Sequence, residues 1–156
     1  VTVLLDVTIP GCPTSQRSKV VRIGRYSRLA HDEKTAEWRT HARHYVDEEW
    51  AGKPAITESV RLSIWAVGKR PASVPKWRGS GRYWRQTKPD WDNVGKASDV
   101  LVKAGVLRDD VLVGYGRVYS QVAAHDEPPH VRMVVETLDP LPVIPWPEKP
   151  KRKVAQ

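Results

Sequence analysis

Proline and glycine cut this chain into pieces too short for anything but a layered domain of short strands and a few helices. Pro10-Gly11, Gly52, Pro71, Pro75, Gly79, Gly81, Pro89, Gly105 and Pro128-Pro129 interrupt the periodic stretches. Proline ends regular structure through its fixed φ and missing N–H, and glycine through its conformational freedom. Residues 2–9 are rich in β-branched side chains and stop at Pro10-Gly11, which predicts a strand and a turn. Residues 59–67 alternate as a strand does. Residues 111–123 and 131–137 predict two more, joined by a turn through Asp126-Glu127-Pro128-Pro129. In residues 32–50, Trp38, Ala42, Tyr45 and Val46 recur at helical spacings, with Asp32 in N-cap position and Gly52 just past the end. A second helical pattern covers 91–104 and ends at Gly105. The stretch 11–28 has no period and reads as a loop with a short strand at 20–23. Strands and helices mix without the regular alternation of a doubly wound sheet. The expected fold class is therefore α/β (α+β), a two-layer mixed sheet with two main helices. Residues 1–138 form the expected domain. Residues 139–156, with five prolines and a lysine cluster, form a tail.

A chain of 156 residues can bury a sizeable core without disulfide or metal, and its single cysteine, Cys12, cannot form an internal disulfide. No apolar run approaches a membrane span of about 18 residues, and the first residues lack a signal-peptide pattern. A soluble protein of a reducing compartment, the cytoplasm, with no membrane partner, is expected. The net charge of +8 points to a polyanionic partner. That charge is segregated. Residues 11–28 carry Arg17, Lys19, Arg22, Arg25 and Arg28 with no acid, and residues 68–88 carry Lys69, Arg70, Lys76, Arg78, Arg82, Arg85 and Lys88, again with no acid. Trp84 lies among these cations, where a flat ring can stack on an unpaired base. Arg17, Lys19, Arg22, Arg25, Lys76, Arg78, Arg82, Arg85, Lys88 and Trp84 are the candidate DNA-binding residues.

The acids gather around the second helix: Asp90-Trp91-Asp92-Asn93, then Lys96 and Asp99, and after it Asp109-Asp110. At about 100° per residue, Val94, Ala97, Leu101 and Ala104 share one face, and Asp92, Lys96 and Asp99 point the opposite way. Taken singly, each acid has an ordinary structural explanation, as a helix cap, a dipole partner or a turn. Taken together, a carboxylate pair at i,i+2 and a third from the next strand are able to converge on one hard divalent cation. Acidic metal ligands set among segments that bind a polyanion are what metal-assisted phosphodiester cleavage requires.

The run Asp90-Trp91-Asp92-Asn93-Val94-Gly95-Lys96, followed by Gly105 and Asp109-Asp110, resembles the RusA family of Holliday-junction resolvases of phages and prophages. The resemblance implies that Asp90, Asp92 and Asp110 are catalytic carboxylates binding Mg2+, with Mn2+ as a substitute, and that Lys96 is the active-site lysine. Asn93 and Asp109 match the motif in supporting roles. It further implies a homodimer making paired symmetric nicks in a four-way DNA junction, in the cytoplasm of a bacterium or phage-infected host. Three departures stand out. The family usually carries an Asp four residues after the lysine, whereas Asp99 is three after, a rotation of about 100°, so Asp99 is left out of the expected site. Val111-Leu112-Val113 replaces a polar position, and the chain has no Phe to wedge a junction open. Two other readings stay open: a flap or branched-DNA endonuclease with the same site, and a non-catalytic DNA-binding protein.

Overall fold

The structure, a computed structural model, describes residues 1–13, 19–30, 33–87, 89 and 91–139. Its centre is a five-stranded mixed sheet. Strands β1 (Val3–Pro10), β4 (Val60–Gly68), β5 (Tyr83–Trp84), β6 (Val113–Val122) and β7 (His130–Thr137) lie in the order β1-β7-β4-β6-β5. Only β4 and β6 run parallel, and the other pairs are antiparallel. A parallel pair needs a long crossover. Here that crossover holds the second basic segment, β5 and both short helices, α2 (Trp91–Gly95) and α3 (Asp99–Lys103). The crossover thus ties the acidic motif to the start of β6.

The expected α+β class matches this architecture. Helix α1 (Glu33–Trp50) agrees with the predicted span, while Asp32, its expected cap, lies outside the described residues. Trp38, Ala42, Val46 and Trp50 turn inward onto Leu5, Val7 and Ile9 of β1 and onto Leu62, Ile64, Met133 and Val135 of the central strands. Val94, Ala97, Val100 and Leu101 complete the same core. All of these sheet residues lie on one face. No described helix packs on the other, which carries Arg61, Trp65, Tyr115, Arg117, Tyr119 and Arg132.

Two expectations are corrected. The basic segment read as a loop with one short strand at 20–23 contains a hairpin, in which that strand, β2 (Lys19–Ile23), pairs with a second, β3 (Tyr26–Ala30). Gly24, at φ +60°, opens its two-residue turn, the glycine-first loop whose twist matches the flanking strands. The partner strand has no sequence signal of its own, because Tyr26, Ser27, Arg28, Leu29 and Ala30 do not alternate. The second helical pattern is not one α-helix either. Between α2 and α3 the backbone tightens into a 3-10 turn over Lys96–Ser98.

Candidate active site

Pro89 is buried immediately before the motif, and α2 starts two residues later. Asp90 lies outside the described residues, so its expected role is carried by sequence alone. Asp92 stands in the first turn of α2, where its charge favours the helix dipole. Lys96 Nζ lies 3.5 Å from Asp92 Oδ2 and 3.5 Å from Asn93 Oδ1. Both charged side chains of the Asp92–Lys96 pair are more than half exposed. An exposed i,i+4 pair is worth a few tenths of a kcal/mol, so both groups are available to a ligand. The inward face is as the helical period predicts: Val94, Ala97 and Leu101 are buried, and Ala104 is half-buried.

The other acids are placed by the end of the crossover. Helix α3 ends in a Schellman motif, with Val106 N–H donating to Leu101 O and Gly105 N–H to Val102 O. Gly105 supplies the left-handed residue this needs, at φ +70°. Buried Leu107 then bridges Ile56, whose N–H donates to Val106 O and whose carbonyl accepts from Arg108 N–H. Pinned there, the chain enters a 3-10 turn at Asp110–Leu112, with Asp109 accepting a 3.0 Å hydrogen bond from Val111 N–H. The paired aspartates therefore stand in a capped turn that runs into β6, rather than inside the strand.

Asp109 and Asp110 differ in their readiness to ionise. The Val111 N–H, and then the hydrogen bond with Asp110, hold the Asp109 carboxyl below its ordinary range. That bond, followed by partial desolvation and the charges of Asp109 and Asp99, pushes Asp110 up. Asp99 is thus close enough to be felt at Asp110. Asp99, Val102, Lys103, Asp109 and Asp110 line one shallow depression of about 270 Å³. Arg39, nearly buried on α1, holds Asp99 at 3.3 Å.

Asp99, left out on sequence grounds, therefore belongs beside Asp110. A 3-10 turn advances about 120° per residue against about 100° for an α-helix. Three residues of it recover about 60° of the rotation lost to the shorter spacing. A helix of uniform period could not reveal this. Lys103, in the last turn of α3 where a cation ordinarily answers the helix dipole, lines the same depression.

Among the described residues, no three His, Cys, Asp or Glu side chains converge closely enough to hold a metal ion. The donor chemistry nevertheless suits a hard divalent cation: exposed carboxylates, two of them raising the proton affinity of a third.

The candidate DNA-binding residues are sorted unevenly. Arg17 and Lys88 lie outside the described residues. Lys19 begins β2, and Arg78 ends a 3-10 turn, Lys76–Arg78. Arg22, Arg25 and Lys76 are exposed, and Trp84 is 62% exposed. Arg82 is turned onto Glu127, with Nε donating to both carboxylate oxygens at 2.9 and 2.8 Å. Arg85 points inward, its Nη2 3.3 Å from Gln121 O and 3.9 Å from Cys12 Sγ. Burial disfavours the Cys12 thiolate and pushes its pKa up, against the opposing pull of Arg85.

No match to a curated protein is found for this chain. A family-level match is found: the family described as Endodeoxyribonuclease RusA covers residues 10–136, taking in β4 to β6, nearly all of β7, the crossover and every acid of the motif, with nearly all of β1 preceding it. The chain belongs to the RusA family of endodeoxyribonucleases, enzymes that hydrolyse phosphodiester bonds of DNA.

Proposed function

We propose that this nuclease resolves four-way DNA junctions by paired symmetric nicks, as a Mg2+-dependent homodimer serving recombination and repair in a phage or prophage setting. The observation that carries the reading is the family match across residues 10–136, which includes the whole acidic motif. Asp90, Asp92 and Asp110 would hold the cation, and Mn2+ would substitute for Mg2+. When bound, a divalent cation there supplies Lewis acidity toward a phosphoryl oxygen and lowers the pKa of water.

The chain's own residues do the rest. Lys96, tethered loosely to Asp92, can swing its ammonium to the scissile phosphate and offset the charge that develops there. Asp99, held by Arg39, keeps negative charge beside Asp110 and so favours a cation at that end of the site. The exposed cations Arg22, Arg25 and Lys76, with Lys19, Arg78 and the exposed ring of Trp84, would grip the junction arms. Arg82 and Arg85 contribute less to that grip, since one is neutralised by Glu127 and the other faces inward.

Nicking assays on a four-way junction, a flap and a linear duplex, with Mg2+ and with chelator, test the proposal. Paired, cation-dependent nicks in the junction are expected. Preferential cutting of the flap would replace junction resolution by flap cleavage at the same site.

A further inference from the structure

The face of the sheet on which no described helix packs carries an ordered array of planar groups, of which only Trp84 is among the residues proposed above to grip the junction. Arg132 on β7 lies over the Trp65 ring of β4, 5.5 Å from guanidinium carbon to centroid. Trp65 stacks on Tyr119 of β6 at 5.1 Å with an interplanar angle of 6°. Tyr119 stacks in turn on Trp84 of β5 at 6.5 Å and 25°. Beside this row, Tyr115 of β6 sits under both Arg61, at 5.5 Å, and Arg117, at 5.1 Å. The strand order β7-β4-β6-β5 and the register Trp65↔Arg132 and Trp65↔Tyr119 put the row in one line across the sheet.

We propose that this face is a stacking platform for unpaired DNA nucleotides. Cross-strand aromatic pairs stabilise a sheet by themselves, and that accounts for Trp65 on Tyr119. It does not account for the end of the row. Trp84 leaves 62% of its surface exposed on a two-residue edge strand, and Tyr115 leaves 42%. The charges on the face also favour a polyanion. Asp6 is taken up by Arg132. Arg117 donates to the Tyr115 hydroxyl, at 2.8 Å, and interacts with Tyr119 as well, but among the described residues no carboxylate forms an ion pair with Arg61 or Arg117. Glu136, opposite Arg61 in register, makes no ion pair with it. A second copy on this face would bring the unpaired Arg117 against a like-charged surface, whereas a phosphate backbone would not. Trp84 also belongs to the basic segment 68–88, so the platform continues the proposed DNA surface. Bases stack on exposed rings whatever their sequence, and cations beside the rings follow the backbone.

The platform rests on the nuclease reading for its biological setting but is tested apart from it. The probes are a labelled oligothymidylate and a duplex of equal length, bound to the full chain without cation and read by anisotropy and by quenching of tryptophan fluorescence. Wild type should bind the single strand with quenching. Trp84→Ala and Tyr119→Leu should each weaken it by roughly 5- to 100-fold, with a much smaller loss on the duplex. Equal losses on both probes, or none, would overturn the platform. So would a change from dimer to monomer in either variant, which would assign the face to a second copy. Junction nicking without single-strand binding would remove the platform and leave the nuclease reading. Single-strand binding without nicking in any cation would do the reverse.

Discussion

Asp92 and Asp6 are both exposed carboxylates beside a cation, yet their surroundings give them different work. Asp92 pairs loosely with Lys96 on a short helix at the edge of the crossover. Asp92→Asn keeps the bulk and removes the charge. Loss of groups that merely support metal ligands costs 10- to 100-fold, so loss of a ligand should lower nicking by at least about 100-fold. Junction affinity, measured without cation, should hold or rise, since a negative charge facing phosphates is gone. Wild-type nicking rates in this variant would remove Asp92 from the site. Asp6, by contrast, is clamped by Arg132 through hydrogen bonds of 2.8 and 2.6 Å. That clamp holds its pKa below the ordinary 3.8, and Arg82 lowers Glu127 in the same way. A carboxylate with a depressed folded-state pKa adds stability that is fully present above its unfolded value. That stability is lost as pH falls through the folded value. The protein should therefore lose stability below about pH 4, and Asp6→Asn should flatten part of that loss, modestly, because the pair is exposed. Urea midpoints at pH 7 and pH 3 measure it. An identical acid-side drop in the variant would show that the clamp carries none of it.

The second basic segment is an element with an inside and an outside. Arg85 anchors it by reaching past Gly68 to the carbonyl of Gln121, and a methyl group at Gly68 would collide with the guanidinium. Gly68→Ala should thus turn the end of the Arg85 side chain away from Gln121, at a small direct cost because that end is flexible, and expose residues 69–87 to limited proteolysis. An unchanged Tm and cleavage pattern would show that Arg85 is not the anchor. Lys76, on the outside, should behave otherwise. Every phosphate that a side chain ceases to neutralise lowers the slope of log K against log salt by about 0.9. Lys76→Ala should flatten the salt dependence of junction binding by about that amount, and Arg85→Ala should leave it nearly unchanged. The opposite ranking would place the inward arginine at the DNA. In the neighbouring helical pair, the Lys96–Ser98 tightening shows how a one-residue difference in spacing is absorbed: the backbone overwinds and Asp99 still arrives beside Asp110.

A chain with one acidic motif that makes two symmetric cuts should act as a two-fold dimer. Light scattering at micromolar concentration should give twice the 17.7 kDa chain mass, free and on a junction; a monomer in both states would leave a single-nick activity. Two of the chain's tryptophans have no need of such an interface. Trp38 and Trp50 are 8% exposed within the chain's own core, while Trp91 is 70% exposed beside Asp92. The sequence determined what depends on local period and local chemistry. It was enough for β1, β4, β6, β7 and α1, for the buried side of the second helical pattern, and for a motif whose family the match confirms. Burial leaves a period in the sequence because one side of each element must be apolar. Partner identity leaves none. The parallel pairing of β4 with β6, the Arg82–Glu127 clamp, the inward turn of Arg85, the place of Asp99 beside Asp110 and the Trp65–Tyr119–Trp84 row all join residues distant in the chain. Those contacts exist only once strand order and register are set, and the tertiary structure decided both.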